Sequence, residues 1–200
     1  MGSYYYYLVP QLSHLVYGQT PPVSPEEFKA IALPLLDKED AALMDLISLD
    51  PQPIHPDSGP SYAEPLDLTG SGFIDGWREW ERALRLNLAK FRSAKLNRQS
   101  VLAEAPGSPP DAVSTAAKAV NESPLDGEIM INKARWNAIE SLQGTDLFFR
   151  DTIFAYLLKL IILERHAQFE TETGFSEYKL LYTSILESAN TGASPTGEPS

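Results

Sequence analysis

The side chains in this 200-residue chain best suited to chemistry are its three histidines and one isolated lysine. His166 is followed and preceded by carboxylates, Glu164, Glu170 and Glu172, and Glu170 lies at i+4 on the same helical face. An imidazole and a carboxylate one turn apart supply part of a divalent-metal site. No second cluster of ligands accompanies them, so a polar helix end is the preferred reading, with His166 suited to the negative end of the helix dipole. A small helical metal protein or enzyme built on Glu164, His166 and Glu170 is the alternative of another class. His14 and His55 have no such company. Lys159 interrupts an otherwise apolar run from Ile153 to Leu163, where its ammonium must either reach water along its own stem or pair with an acid. Glu140 and Asp151 are the candidate partners, and reaching water is the favoured outcome.

Other routes to catalysis lack their residues. The chain has no cysteine, hence no thiol nucleophile, thiolate metal site or disulfide, and a reducing compartment suits it. The nearest glycine cluster, TGSGF, lacks the spacing of a phosphate-binding loop, and no G-x-S-x-G elbow is present. Trp77 and Trp80, three residues apart, would suit a ligand groove, yet aromatic residues at helical spacing usually belong to a core. No catalytic, cofactor-binding or metal-binding residue is expected, and the chain reads as non-enzymatic.

Charge narrows the partners. The formal net charge of -11 argues against nucleic acid, which calls for a surplus of Lys and Arg. Between Phe73 and Gln99, however, seven basic residues face three acidic ones, a local +4 that leaves -15 elsewhere. Such a segment suits an acidic partner or the protein's own acidic half, and a solvated basic face is an equal expectation.

The elements that would position these groups are helical. Residues 1–50 open with Tyr4 to Tyr7, expected to be extended, with Tyr5, Tyr7 and Val9 on one side and Tyr4, Tyr6 and Leu8 on the other, ending at Pro10. The start fits neither a myristoylation signal nor a secretory leader. Ser24, Pro25 and Glu27 spell a capping box and a first helical turn, Pro34 ends or kinks that helix, and Asp37 starts another. Residues 51–72 are a proline-rich linker. Residues 73–187 form a helical bundle interrupted by an irregular insert at 103–124, in which VSTAAKAV makes a helical turn or two, and 188–200 are a disordered tail. In the first bundle helix Phe73, Trp77, Trp80, Leu84, Leu88 and Phe91 share one face, the basic residues fall mostly on the other, and Glu81 pairs with Arg85 at i+4. The next helix, around Ile131, Ala134, Trp136 and Ala138, is apolar on two faces and should lie between neighbours. The run from Ile153 is apolar nearly all round and, at eleven residues, too short to span a bilayer, for which about 20 are needed. It should be the most buried helix, with SEYKLLYTSILES packed back onto it. The fold expected is mainly α, a helical bundle with two lobes and a short extended Tyr-rich N-terminal segment.

Several of these stretches carry a resemblance. YYYYLVPQL, FIDGWREWERALRLNLAKFRSAKL and SPLDGEIMINKARWNAIESL followed by AYLLKLIILERH resemble an uncharacterised bacterial family encoded among V-type ATP synthase genes. Its pattern W-x-x-[FW]-E-x-x-L-R falls here on Trp77, Trp80, Glu81, Leu84 and Arg85. A weaker similarity, through Pro124, Leu125 and Glu128, then Lys133 to Trp136, then Phe149 and Asp151, points to the C-type subunit of the same rotary ATPases, known as the d-type in eukaryotes. The resemblance implies an all-helical adaptor coupling the central stalk to the membrane ring, cytoplasmic and peripheral to the membrane through its partner subunits, with an assembly or regulatory adaptor as the alternative. The chain is a good deal shorter than the C-type family, so a full three-lobed funnel is not expected. On this reading the partner interface is Tyr4, Tyr6, Trp77, Arg78, Arg82, Arg85 and Arg92.

Overall fold

Helix starts in this chain are written in side chains that satisfy free backbone N–H groups. At Ser24 the capping box forms in full: Ser24 Oγ accepts from the Glu27 N–H at 3.1 Å, and Glu27 Oε2 accepts from the Ser24 N–H at 2.9 Å. Ser71 and Ser123 accept from the N–H groups of Ile74 and Asp126 in the same way. Proline occupies the first position of three of the helices, where its missing N–H costs nothing. A computed structural model describes residues 3–50, 67–96 and 107–168. Among them are six helices: α1 Pro25–Ala32, α2 Lys38–Met44, α3 Gly72–Lys95, α4 Pro110–Ala119, α5 Pro124–Gln143 and α6 at residues 150–168. Pro34 turns the end of α1 into a single 3-10 turn, Leu33–Leu35, before Asp37 opens α2.

Met1–His166 form one unit, and of the second, Ala167–Ser200, only residues 167 and 168 are described. One apolar core runs through the first unit from Tyr5 to Leu163, taking in Phe28, Met44, Trp77, Leu84, Ile139 and Phe154. The N-terminal segment and short helices therefore share the core of the bundle. α6 is its most enclosed part: Ile153, Phe154, Leu157, Leu158, Leu160 and Ile162 have no exposed surface. Each such side chain contributes about 1.5–3 kcal/mol by leaving water.

α5 packs against both α3 and α4, which accounts for its two apolar faces. The insert expected to be irregular contains α4, a ten-residue helix with Ala112, Ala116 and Ala119 buried. Small side chains let α4 approach its neighbours closely, and this closeness replaces the bulky apolar stripe by which helices are usually recognised. At Gly127 of α5 an added Cβ would lie 2.9 Å from the Ala119 carbonyl oxygen, so only glycine allows the approach. The proline-rich residues 51–66, the SEYKLLYTSILES stretch and the 188–200 tail lie outside the described residues.

The tyrosine run departs from its expected alternation. Tyr5 and Leu8 are buried while Tyr4, Tyr6 and Tyr7 are exposed, a spacing of three. The chain is extended only near Tyr4 and Tyr5. It then turns, with the Val9 N–H donating to the Tyr5 carbonyl at 3.1 Å, and enters the 3-10 turn Val9–Gln11 through Pro10.

Candidate functional site

The N-terminal segment is clasped to the start of α6. The Tyr5 N–H donates to the Phe148 carbonyl at 2.8 Å and the Arg150 N–H to the Ser3 carbonyl at 3.1 Å, closing an antiparallel bridge between Tyr4 and Phe149. Extended backbone sends successive side chains to opposite faces, so burying Tyr5 turns Tyr4 outward, and the turn that follows carries Tyr6 out beside it. Inside, the Tyr5 hydroxyl donates to Asp40 Oδ2 at 2.6 Å and accepts from the Asp37 N–H at 3.2 Å. The other Asp40 oxygen accepts from Arg150 Nη1 at 2.8 Å. Burial, and then the Asp40 carboxylate, push the Tyr5 hydroxyl from 10.0 up to about 12. Burial also raises the Asp151 carboxyl above its ordinary value, against the pull of Arg150.

Outside, the same bridge builds an aromatic surface. Tyr4 stacks on Tyr6 with ring centres 5.8 Å apart and planes 9° apart, and meets Phe149 edge-on at 5.5 Å. Tyr6 lies 5.0 Å from Phe148. Exposure is high for large rings in mutual contact: Tyr4 52%, Tyr6 66% and Phe148 36%. Asp146 takes the Tyr4 hydroxyl as a hydrogen-bond donor and so raises its pKa. Contiguous exposed apolar groups of this kind mark interaction surfaces, and rings already held in place lose little freedom on binding.

The interface residues expected from sequence divide into three places. Tyr4 and Tyr6 lie on this surface. Trp77, Arg78 and Arg82 are buried, at 1%, 2% and 8% exposure, so they belong to the interior rather than to an accessible face. Trp77 donates through its indole to the Ser48 carbonyl at 2.9 Å and stacks on Trp80 at 5.9 Å, as a core residue does. Arg78 Nη1 donates to the Asp67 carbonyl at 2.9 Å, and burial lowers its pKa. Arg82 grips Glu79 through Nε at 2.8 Å and Nη2 at 2.6 Å, which raises its pKa. Arg85 joins Glu81 at 2.9 Å and Asp50 at 3.0 Å, and Arg92 is exposed near the end of α3. The basic segment thus spends much of its charge on the protein's own carboxylates and carbonyls.

At the centre of that segment lies a polar cluster. Glu81, wholly buried, receives Arg85 Nε at 2.9 Å, Arg135 Nη2 at 2.7 Å and Arg135 Nε at 3.0 Å. Arg135 also donates to Asn132 Oδ1 at 2.9 Å and meets Glu128 at 3.4 Å, while Arg165 meets Glu128 at 2.7 Å. Burial works against the Arg135 charge, but Glu81 and then Glu128 outweigh it and its pKa rises. Sequence reasoning places Arg135 only within the C-type resemblance and gives it no role in a site. Its signal is a place four residues after Ile131, within an apolar stripe, just as Glu81 sits four after Trp77.

Lys159 meets Glu140 Oε1 at 3.2 Å and lies 5.0 Å over the Trp136 ring, with 15% of its side chain exposed. The favoured outcome, an ammonium reaching water alone, gives way to pairing at the surface with Glu140, one of the two candidate acids, whose side chain is 52% exposed. His166 lies 5.4 Å from the Tyr17 ring. Glu170, Glu172 and His55 fall outside the described residues, among which no group of three or more His, Cys, Asp or Glu is placed to hold a metal. His14 lines an open recess of about 340 Å³ with Glu140, Tyr156 and Lys159. No helix among the described residues is long and apolar enough to cross a membrane. Compared with family models, curated proteins and solved structures, the chain matches none.

Proposed function

We propose that this protein is a non-enzymatic helical adaptor that joins other proteins through the aromatic surface around Tyr4 and Tyr6. One observation carries the proposal: large exposed rings are held in fixed orientation by backbone pairing and by a buried Tyr5–Asp40–Arg150 chain beneath them. Tyrosine is among the residues enriched at the few positions that carry most of the binding energy of protein interfaces. The resemblance of its N-terminal and helical segments to proteins encoded with V-type ATP synthase genes supports placing the adaptor in such a complex. There it would couple the central stalk to the membrane ring, in the manner of the C-type adaptor, on the cytoplasmic side and peripheral to the membrane through its partners. Such a part works by stiffness and surface and calls for no cofactor, metal or nucleic acid.

The test is co-expression with the stalk and ring proteins of a bacterial V-type ATPase, followed by purification of the complex. The expected result is stoichiometric recovery, reduced at least tenfold by the Tyr4→Ala, Tyr6→Ala double variant, whose circular dichroism and melting temperature match those of the parent. Absence of the chain from the intact, purified ATPase overturns the placement in that complex. Undiminished recovery of the double variant overturns the aromatic surface as the contact.

A further inference from the structure

A second surface lies at the other end of α6 from the tyrosines. Arg165 is fifteen residues beyond Arg150, about 22 Å along a helix at 1.5 Å per residue. Here α3, α5 and α6 border an open recess of about 320 Å³ lined by Arg85, Arg92, Arg135, Arg165 and Glu128 together with Leu88 and Ile131. We propose that this recess receives a glutamate or aspartate carboxylate of a partner protein, with an apolar side chain of the partner next to it. The proposal rests on the adaptor reading and gives it a second contact.

Charge selects the ligand. Of the four guanidinium groups, Arg85, Arg135 and Arg165 are tied to Asp50, Glu81 and Glu128. Arg92 is exposed, and the lining as a whole holds four guanidinium groups and one carboxylate. That predominance of positive charge suits an anionic side chain. Guanidinium groups also suit a carboxylate because two parallel N–H groups match its two oxygens. Part of the lining is pre-ordered: Arg135 is 5% exposed and fixed by paired bonds to Glu81, so little freedom is lost there on binding. Elsewhere in it, 28% of the Arg85 side chain and 44% of the Arg165 side chain remain accessible.

Size and lining complete the case. A volume of about 320 Å³ is at the small end of the range for ligand sites, room for one or two side chains. Leu88 and Ile131 belong to its lining, so a purely polar ligand would leave apolar surface wet, and an apolar neighbour of the acid covers it.

The test is an NMR titration of the full-length chain with three probes: N-acetyl-Leu-Glu-amide, N-acetyl-Leu-Gln-amide and inorganic phosphate. With the Glu peptide, the Leu88 and Ile131 methyl signals and the Arg92 and Arg165 Nε–H signals should shift and saturate, at an affinity on the order of millimolar. Binding should weaken at least fivefold for the Gln peptide, for Arg92→Ala, and between 50 and about 300 mM salt. Arg165 also holds Glu128, so Arg92→Ala, on an exposed side chain, is the variant read. Equal shifts from the Glu and Gln peptides, or no saturable shift, overturn the proposal. Saturation by phosphate without saturation by the Glu peptide replaces it with a small-oxyanion site. None of these outcomes depends on the ATPase co-purification, so the recess and the adaptor reading fail separately.

Discussion

Replacing Glu81 by Gln removes one negative charge from a place without solvent and leaves its two cations behind. Glu81 has no exposed surface, and Arg135 has 5%. Three charge-assisted hydrogen bonds, at 2.7, 2.9 and 3.0 Å, lose their ionic partner. Arg85 keeps Asp50 at 3.0 Å and can turn toward water, whereas Arg135 keeps the neutral Asn132 Oδ1 at 2.9 Å and, as its charged partner among the described residues, Glu128 at 3.4 Å. Removing one partner of a buried pair costs about 3–5 kcal/mol, and the residual Glu128 contact places the expectation near the lower end, about 3 kcal/mol. With a urea slope near 2 kcal/mol per molar, the midpoint should fall by about 1.5 M. The melting temperature should fall by roughly 6–12 °C for a unit of this size. The paired variant Glu81→Leu, Arg135→Met removes both charges. Its loss should be smaller than the sum of the single losses by at least about 1.5 kcal/mol in a double-mutant cycle. A Glu81→Gln midpoint within about 0.3 M of the parent at unchanged slope, or strict additivity in the cycle, would refute the account of Glu81 as the pinned centre of the cluster.

Gly127→Ala drives a methyl group against the Ala119 carbonyl oxygen at 2.9 Å, and should destabilise by about 1–3 kcal/mol despite the helix-favouring gain of alanine. Urea unfolding measures it, and a neutral or stabilised variant would show that α4 and α5 separate easily. Tyr5→Phe removes the hydroxyl between Asp40 and Asp37 and should cost about 1–2 kcal/mol at pH 7. Because the folded Tyr5 pKa, about 12, exceeds its ordinary 10.0, its contribution is complete below pH 10 and lost as pH rises toward 12. The change is at most about 3 kcal/mol and smaller where water screens the hydroxyl. Urea midpoints from pH 8 to 11.5 should therefore fall less steeply for Tyr5→Phe than for the parent, and parallel curves would contradict the buried-hydroxyl account.

What the sequence discloses is local. Ser24, Pro25 and Glu27 meet within one turn, so their spacing alone announces the capping box that forms. Glu81 and Arg85 are likewise four apart on one helix and pair as expected. Arg135 reaches Glu81 across 54 residues, a distance at which spacing carries no geometry. The only local trace is a charged residue standing in an apolar stripe on each of two helices, which a search for solvated faces discounts. Sequence places Arg78 and Arg82 on the outside because the charge pattern of a helix reveals one face of it but not the chain that covers that face. Arg78 is met by the Asp67 carbonyl, contributed by the segment just before α3. α4 reads as irregular chain because alanines among prolines give a weak stripe, and its stability depends on the glycine-mediated approach to α5. The tyrosines read as an alternating strand, but the turn closed by Val9 and Tyr5 changes the period after two residues.

The clasp between the tyrosine segment and α6 joins Ser3 to Arg150 and Tyr5 to Phe148, separations of 147 and 143 residues. Contacts of such long range close only after the intervening chain has become compact, because the entropy of closing a loop grows with its length. During synthesis Phe148 and Arg150 follow Tyr5 and Ser3 by 143 and 147 residues, so the clasp closes only after most of Met1–His166 has been made. The rings at Tyr4 and Phe149 therefore come together as a late event, and a partner that recognises them side by side engages finished molecules in preference to nascent ones.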